Sequence, residues 1–438
     1  MKTITYLLAG TLALPASAQQ AWDLRQCIDY AIEHNLTIKQ QEENRNQSEV
    51  DLHTAKWSRL PNLNGSASHS FNFGRSLQAD NTYQSINTQN TNFSLNTSVP
   101  LFTGMQIPHN IALQKLNLKA ATEDLQKAKD DISLQIASLY LQVLYNQELA
   151  LIARQQVALS QEMLERKKAY LDNGKASEAE WYEAKSRVAQ DELSAVQAEN
   201  NCRLALLDLS QLLELPTPDG FSIVSPDIDE HHLSGSIVAP DDIFQEAVLS
   251  KPAIKAATYR LEGATHSIRI AQSAYYPQLS FGAGIGTNYY KVNGYQNNSF
   301  GSQLKDNFSQ YLGFSLSVPL FNRFATRNQV RSARIRQNTL SWQLEEAKKT
   351  LFKEIQQAYY NALNAESQLK SSTTADEAAA ASFELMKEKY AQGKANATEY
   401  NESRTNWMKA VSNRLQAKYD YVFRTKILDF YRGIELRL

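Results

Sequence analysis

Two long stretches of the chain carry apolar residues in a four-three rhythm. Alternate steps of four and three from Ile132 land on Ile136, Leu139, Val143, Asn146, Ala150, Ala153, Val157, Ser160, Leu164, Lys167 and Leu171. Nine of these twelve positions are apolar. A period of 3.5 residues marks the seam of a left-handed coiled coil. The opposite faces are rich in Gln, Lys, Glu and Asp, and taken alone this segment also fits a soluble coiled coil. Helix breakers are missing from the same regions. No proline lies between Pro108 and Pro216, and none follows Pro319. Gly174 is the only glycine from 109 to 215, and Gly393 the only one from 320 to 431. Each stretch therefore reads as two very long helices meeting at one glycine turn.

An offset of 219 residues carries the first seam onto a second. Leu351, Ile355, Ala358, Ala362, Ala365, Leu369, Ala379, Phe383, Met386 and Tyr390 are apolar, with Ser372 and Asp376 the polar exceptions. The same offset carries Gly174 onto Gly393, and Val99-Pro100-Leu101-Phe102 onto Val318-Pro319-Leu320-Phe321. Nearer the start the offset is 216, pairing Pro61 with Pro277 and Ala31 with Ala247. The chain is thus two copies of one unit of roughly 215 residues. The first repeat spans 19–214, with a strand pair at about 62–102 and its hairpin turn at 174. A Pro- and Asp-rich linker covers 215–241. The second repeat spans 242–438, with a strand pair at about 278–321 and its turn at 393.

In each copy a short helix (about 23–34; 242–250) leads into a medium one (36–58; 253–275). Two strands, the long helix, the turn and a shorter helix follow. From Asn110 to Gly174 is 65 residues, or ~95 Å of helix. The return arm is shorter, and the medium helix makes up the difference if it stacks end to end above that arm. Four helical rods per protomer then run side by side.

The strands alternate. Leu63, Gly65, Ala67, His69, Phe71 and Phe73 fall on one face, against Asn64, Ser66, Ser68, Ser70 and Asn72. Phe93, Leu95, Thr97, Val99 and Leu101 oppose Asn92, Ser94, Asn96 and Ser98. Leu279, Phe281, Ala283, Ile285 and Thr287 oppose Ser280, Gly282, Gly284, Gly286 and Asn288. Leu312, Phe314, Leu316, Val318 and Leu320 oppose Gly313, Ser315 and Ser317. Strands of ~10 residues, apolar on one side and uncharged polar on the other, match those of outer-membrane barrels. A soluble sandwich with one wet face is the weaker reading, because such faces carry Lys and Glu. The loops 74–90 and 290–310 read as extracellular. Tyr275, Tyr276, Tyr289, Tyr290, Phe102 and Phe321 stand at strand ends, where interfacial aromatics belong. Four strands cannot close a barrel, and an open edge cannot face lipid. Two copies give eight strands, whose lumen side chains fill; three give twelve and a pore.

Composition narrows the rest. Charge is balanced, 45 Lys+Arg against 46 Asp+Glu, so nothing points to a nucleic-acid partner. Lys2, the apolar run from Tyr6 to Leu14 and Ala16-Ser17-Ala18 read as a secretory signal peptide over 1–18. Beyond it no stretch reaches the ~18 apolar residues a spanning helix needs. Cys27 and Cys202 read as two small buried residues, with a disulfide the alternative in an oxidising compartment.

Together these features resemble the TolC family of outer-membrane efflux proteins, over the whole mature chain. The resemblance rests on the duplicated element order and on Val-Pro-Leu-Phe closing both strand pairs. It rests also on Leu24-x-x-Cys27-Ile28-x-x-Ala31-x-x-x-Asn35, and on the turns Tyr170-Leu-Asp-Asn-Gly174-Lys-Ala-Ser and Tyr390-Ala-Gln-Gly393-Lys-Ala-Asn. The fold class it implies is mainly α with a membrane β-barrel. Duplicated long hairpins would form a trimeric α-barrel in the periplasm, and four strands per protomer a 12-stranded barrel in the outer membrane. The implied partners are two further copies of the chain, outer-membrane lipid, a periplasmic adaptor docked at the helical tips and an inner-membrane pump. The implied function is a passive exit duct. A trimeric coiled-coil surface or scaffold protein is the alternative, disfavoured by the 219-residue duplication.

No catalytic constellation is present: there is no His-Glu-x-x-His, no Gly-x-Ser-x-Gly and no P-loop. No enzyme activity, cofactor or resident metal is expected. His231-His232 beside Asp227, Asp229 and Glu230 reads as solvated linker. The tip differs. Glu180 and Glu183 follow the first glycine turn at the spacing at which Glu399 and Glu402 follow the second, each pair on one helix face. By resemblance these four acids ring the periplasmic entrance. Tyr390 matches a latch tyrosine facing an acid on the neighbouring hairpin, here Glu180. The latch arginine of the family falls at Ala395, with Lys394 the candidate substitute. The turns Gly174-Lys175 and Gly393-Lys394 are the candidate adaptor-docking points. The plain alternative for the glutamates is a solvated helix face.

Overall fold

The computed structural model describes residues 21–77, 81–226 and 237–437. The signal-peptide segment 1–18 and the acidic His231-His232 stretch lie outside them. The chain forms two compact units, and each draws on both sequence repeats. One, here the helical unit, gathers residues up to Gln41, Gln126–Lys251 and Lys349 onward. The other, the strand-bearing unit, gathers Glu42–Leu125 and Pro252–Lys348.

The element order repeats. In the first copy α1 (Leu24–His34) and α2 (Leu36–Trp57) precede the strands β1 (Asn62–Asn72), β2 (Arg75–Leu77), β3 (Tyr83–Ser85) and β4 (Thr88–Phe102). The long α3 (Gln106–Asp172) and the shorter α4 (Glu178–Leu212) follow. In the second copy α5 (Pro240–Ser250) and α6 (Pro252–Ser273) lead to β5 (Gln278–Val292), α7 (Phe300–Asp306) and β6 (Ser309–Ser317). Then come α8 (Ala325–Ala391) and α9 (Ala397–Tyr431). Helix α3 begins four residues before the sequence places it, because Pro108 falls in its first turn, where the missing N–H has no helical partner to lose.

In the helical unit no seam position from Ile132 to Leu171 or from Leu351 to Tyr390 is exposed. The core lies along these seams, with Ile136, Val143, Ile355, Ala362 and Ala365 fully covered. Two polar seam residues pair with a second helix: Asp376 accepts from Arg414 at 3.0 Å, and Lys167 meets Glu180 at 2.6 Å. Helix α4 ends where α2 begins. Asn35 donates from Nδ2 to the Leu212 carbonyl at 3.0 Å, while its Oδ1 accepts the Thr37 amide at 2.9 Å and so caps α2. In the second copy the matching position is Lys251. Its Nζ donates to the Phe430 carbonyl at 2.6 Å and stands 3.5 Å from the centroid of the Phe430 ring. Burial pulls the Lys251 ammonium down to about 8, against the pull of Asp130. Both cysteines are free thiols; Cys27 is buried and Cys202 half-buried, which settles against the disulfide.

In the strand-bearing unit one antiparallel sheet runs β1-β4-β5-β6. Its register puts the four apolar faces on one side. Leu63 stands opposite Thr97, and Thr97 opposite Ala283; Gly65, Leu95 and Ile285 line up, as do Val99 and Phe281, and Phe281 and Phe314. That side is open to its surroundings: Leu63, Phe71, Leu312, Phe314 and Leu316 are all more than half exposed. The other side is knit by uncharged groups, with Ser66 Oγ to Ser94 Oγ at 2.7 Å and Tyr311 Oη donating to Asn96 Oδ1 at 3.2 Å. The two long loops hold structure the alternation does not foretell. A β2–β3 hairpin sits in the first. Helix α7 sits in the second and is tied to β5 through Gln303, which accepts from the Tyr290 amide at 3.0 Å and donates to its carbonyl at 3.0 Å. Among the described residues no helix is long and apolar enough to cross a membrane.

Candidate functional site

The two glycine turns are copies of each other. Gly174 donates to Leu171 and Lys175 to Tyr170; Gly393 donates to Tyr390 and Lys394 to Lys389. These paired bonds close the last carbonyls of α3 and α8, and they require the left-handed φ of +69° at Gly174 and +73° at Gly393. The return helices start on side-chain caps. The Ser177 hydroxyl accepts the Glu180 amide at 3.3 Å, and Asn396 Oδ1 accepts the Glu399 amide at 2.8 Å. Glu399 answers with Oε2, which takes the Asn396 amide at 2.9 Å, completing a capping box. Lys175 and Lys394 are left exposed at the outer curve of the two turns.

Behind the turns the hairpins meet through ionised groups. Lys167 of α3 reaches Glu180 of α4 at 2.6 Å and lies 5.4 Å from the centroid of the Tyr390 ring of α8. Burial alone would lower Lys167, but hydrogen bonds with Glu180 and Tyr390 outweigh it and hold the ammonium above its usual range. Tyr390 stacks on Tyr400 of α9, and Phe383 stacks on Trp407, which ties α8 to α9. One step further along, Arg404 of α9 is buried between α3 and α4. Its Nε donates to Gln156 Oε1 at 2.5 Å, and its Nη2 donates to Asp191 Oδ2. Arg187 stands 3.3 Å from the other Asp191 oxygen.

The sequence-derived acids fall into two settings. Glu180 is half-buried against Lys167 and close to Tyr390, and Glu183 lines the same hollow. Glu399 and Glu402 are both exposed and line a separate hollow with Met386 and Ser382. The cation beside Tyr390 is Lys167, while Lys394 is exposed at the turn. Arg404, Asp191 and Gln156 escaped sequence reading, although a signal existed. Steps of four and three along α9 from Tyr400 reach Arg404, Trp407, Val411 and Arg414, so two arginines occupy an otherwise apolar seam. The same rhythm in α4 passes through Val188, Asp191 and Ala195.

This arrangement orients and screens charge. No nucleophile–base pair stands in it, and no group of three or more His, Cys, Asp or Glu converges among the described residues. What it offers is a set of helix ends held by ion pairs beside exposed carboxylates. The chain matches the family model described as outer membrane efflux protein at residues 27–214 and 243–429. The outer membrane efflux protein BepC of Brucella suis biovar 1 (strain 1330) is 20% identical to it over 328 residues, covering 75% of this chain and 67% of that protein. A solved structure of CusC superposes with a TM-score of 0.78 at 16% identity, over 97% of this chain and 96% of the other. The CmeC outer membrane channel of Campylobacter jejuni gives 0.77 at 19% identity, over 94% of this chain and 86% of that one. At these identities the likeness is one of fold.

Proposed function

The chain belongs to the outer membrane efflux protein family, and on that premise we propose that three copies close one passive duct, docked at the helical tips to a periplasmic adaptor and through it to an inner-membrane pump. The protein is a non-enzymatic outer-membrane efflux channel with a periplasmic helical extension. Channels of this family are trimers in tripartite efflux systems.

One observation carries the threefold reading. The four-stranded sheet has an exposed apolar side, and β1 and β6 stand at the ends of its strand order. In lipid each backbone group left without a partner costs several kcal/mol, so β6 of one copy must pair with β1 of the next. Three sheets supply twelve strands and a water-filled lumen, whereas eight strands leave a lumen plugged by side chains. Detergent-solubilised protein should run as a trimer by native mass spectrometry and form one conducting pore per three chains in a planar bilayer. A monomer inserted in the membrane would overturn the architecture.

The tip residues follow from the same reading. Lys175 and Lys394 present the two turns to the adaptor. Glu399 and Glu402 form the inner acidic ring of the entrance, and Glu180 and Glu183 an outer one. The pairing of Glu180 with Lys167, which offsets its charge, supports that order. Lys167 serves with Tyr390 and Glu180 as the latch, with Lys394 free at the turn for docking.

A further inference from the structure

In the strand-bearing unit one pair of side chains is placed for chemistry that a duct does not use. His109 lies in the first turn of α3 and His266 in α6. Gly263 brings the helices together. A Cβ there would stand 3.1 Å from Leu113 Cδ1, so a side chain at 263 would press on Leu113. Leu113 is one helical turn beyond His109, and His266 is three residues beyond Gly263, so both imidazoles share the faces that this contact brings close. Their Nδ1 atoms are 3.1 Å apart, and the ring planes are inclined at 41°.

A neutral imidazole presents Nδ1 either as an N–H or as a lone pair. Two Nδ1 atoms facing each other therefore form an N–H···N hydrogen bond or converge on a cation. We propose that His109 and His266 form a binding site for a divalent transition-metal ion, one per chain, which clips the start of α3 to α6. With metal–nitrogen bonds of ~2.0–2.1 Å, nitrogens at this separation subtend about 98° at the ion, between the square and tetrahedral angles. Two imidazoles select copper, nickel or zinc and disfavour magnesium and calcium, which take oxygen ligands. No third His, Cys, Asp or Glu joins the pair among the described residues, so water completes the coordination and the ion stays exchangeable. Metal-binding keeps both Nε2–H groups as donors, so neither ring must lose a second proton.

The test uses the full-length trimer in detergent, purified without a histidine tag, stripped with chelator and titrated with Cu(II). The expected result is one copper per chain, with a paramagnetic-resonance spectrum showing two coordinated imidazole nitrogens. His109→Gln and His266→Gln should each weaken copper binding more than ~10-fold, the loss that even outer-shell changes cause at metal sites, and His53→Gln should leave it unchanged. Copper should also slow amide exchange around residues 109 and 266 of the unsubstituted protein, which tests the site even if a variant fails to assemble. Unaltered binding and spectrum in both histidine variants would place the ion elsewhere and overturn the proposal. Failure of the wild-type trimer to take up copper would overturn it too, leaving the pair as an N–H···N hydrogen bond.

Discussion

Replacing Arg404 by Met tests whether buried charge holds the hairpins together. The side chain of Arg404 is 4% exposed and that of Asp191 10%, so neither charge is compensated by water. Removing one member of a buried pair costs about 3–5 kcal/mol, because the other is left uncompensated. Here Arg187 remains 3.3 Å from Asp191 and recovers part of that loss. Methionine also keeps the apolar bulk of the arginine stem. The expected cost is therefore ~2–4 kcal/mol. It should appear as local opening of α4 and α9, read by amide hydrogen exchange over residues 184–198 and 397–412, with exchange roughly 30- to 700-fold faster than in the parent. Asp191→Asn should cost a similar amount, and the double variant should cost less than the sum of the two by ~1–3 kcal/mol. Lys127→Gln is the control. Its partner Asp131 is an exposed i,i+4 neighbour, and the change should fall within ~0.5 kcal/mol. Exchange in Arg404→Met within threefold of the parent, or strict additivity in the double variant, would refute the argument.

Other expectations concern the entrance, the turns and the upper joint. Glu399→Gln with Glu402→Gln should reduce the cation selectivity of single channels, and glutamine at 399 still completes the capping box with Asn396; if Glu180→Gln with Glu183→Gln reduces selectivity instead, the order of the rings is reversed. Cysteines placed at 175 and 394 should crosslink in cells to a periplasmic adaptor, whereas crosslinking only from the strand loops would invert the orientation. The Lys251 amine, lowered to about 8 by burial, binds fewer protons folded than unfolded. Its stabilising contribution is thus complete above the unfolded lysine range, near ~10.4, and is lost as pH falls through about 8. Thermal melts between pH 7.5 and 10 should show stability rising with pH more steeply in the parent than in Lys251→Met, and parallel curves would contradict this.

Much of this architecture is legible in the chain. The seam and the missing helix breakers locate α3 and α8. The alternation of Leu63 to Phe73 and of Leu279 to Thr287 predicts a sheet with one apolar side, and the observed register delivers it. What escapes is local or depends on partners. The β2–β3 hairpin and α7 are too short to imprint a period. Val318–Phe321 lies outside β6, because the β5–β6 ladder ends at Gln278–Ser317 and the next position of β5's chain is Pro277, which has no N–H to donate, whereas Val99–Phe102 still faces Phe281 to Leu279. At the tip the acids are legible as repeated letters, but their settings differ, since pairing depends on Lys167, which the seam presents as a mere polar interruption. Arg404 and Asp191 lie on separate helices, and only the fold discloses that they meet.

The longest ladder of the sheet joins the two halves of the gene product. Strands β1 and β4 pair within the first repeat, and β5 and β6 within the second, each across a single loop; β4 and β5 pair from Thr88–Val292 to Phe102–Leu279, roughly two hundred positions apart along the polypeptide. Closing so wide a loop comes late, after the local hairpins, because its entropy must be met before any contact forms. A freshly exported chain thus carries two half-made apolar ribbons that wait for each other across an aqueous compartment. Sticky edges left open for that interval invite pairing with the wrong copy. The order of synthesis thereby sets the hazard: the first ribbon waits from the moment it emerges, and an escort protein would serve it longest.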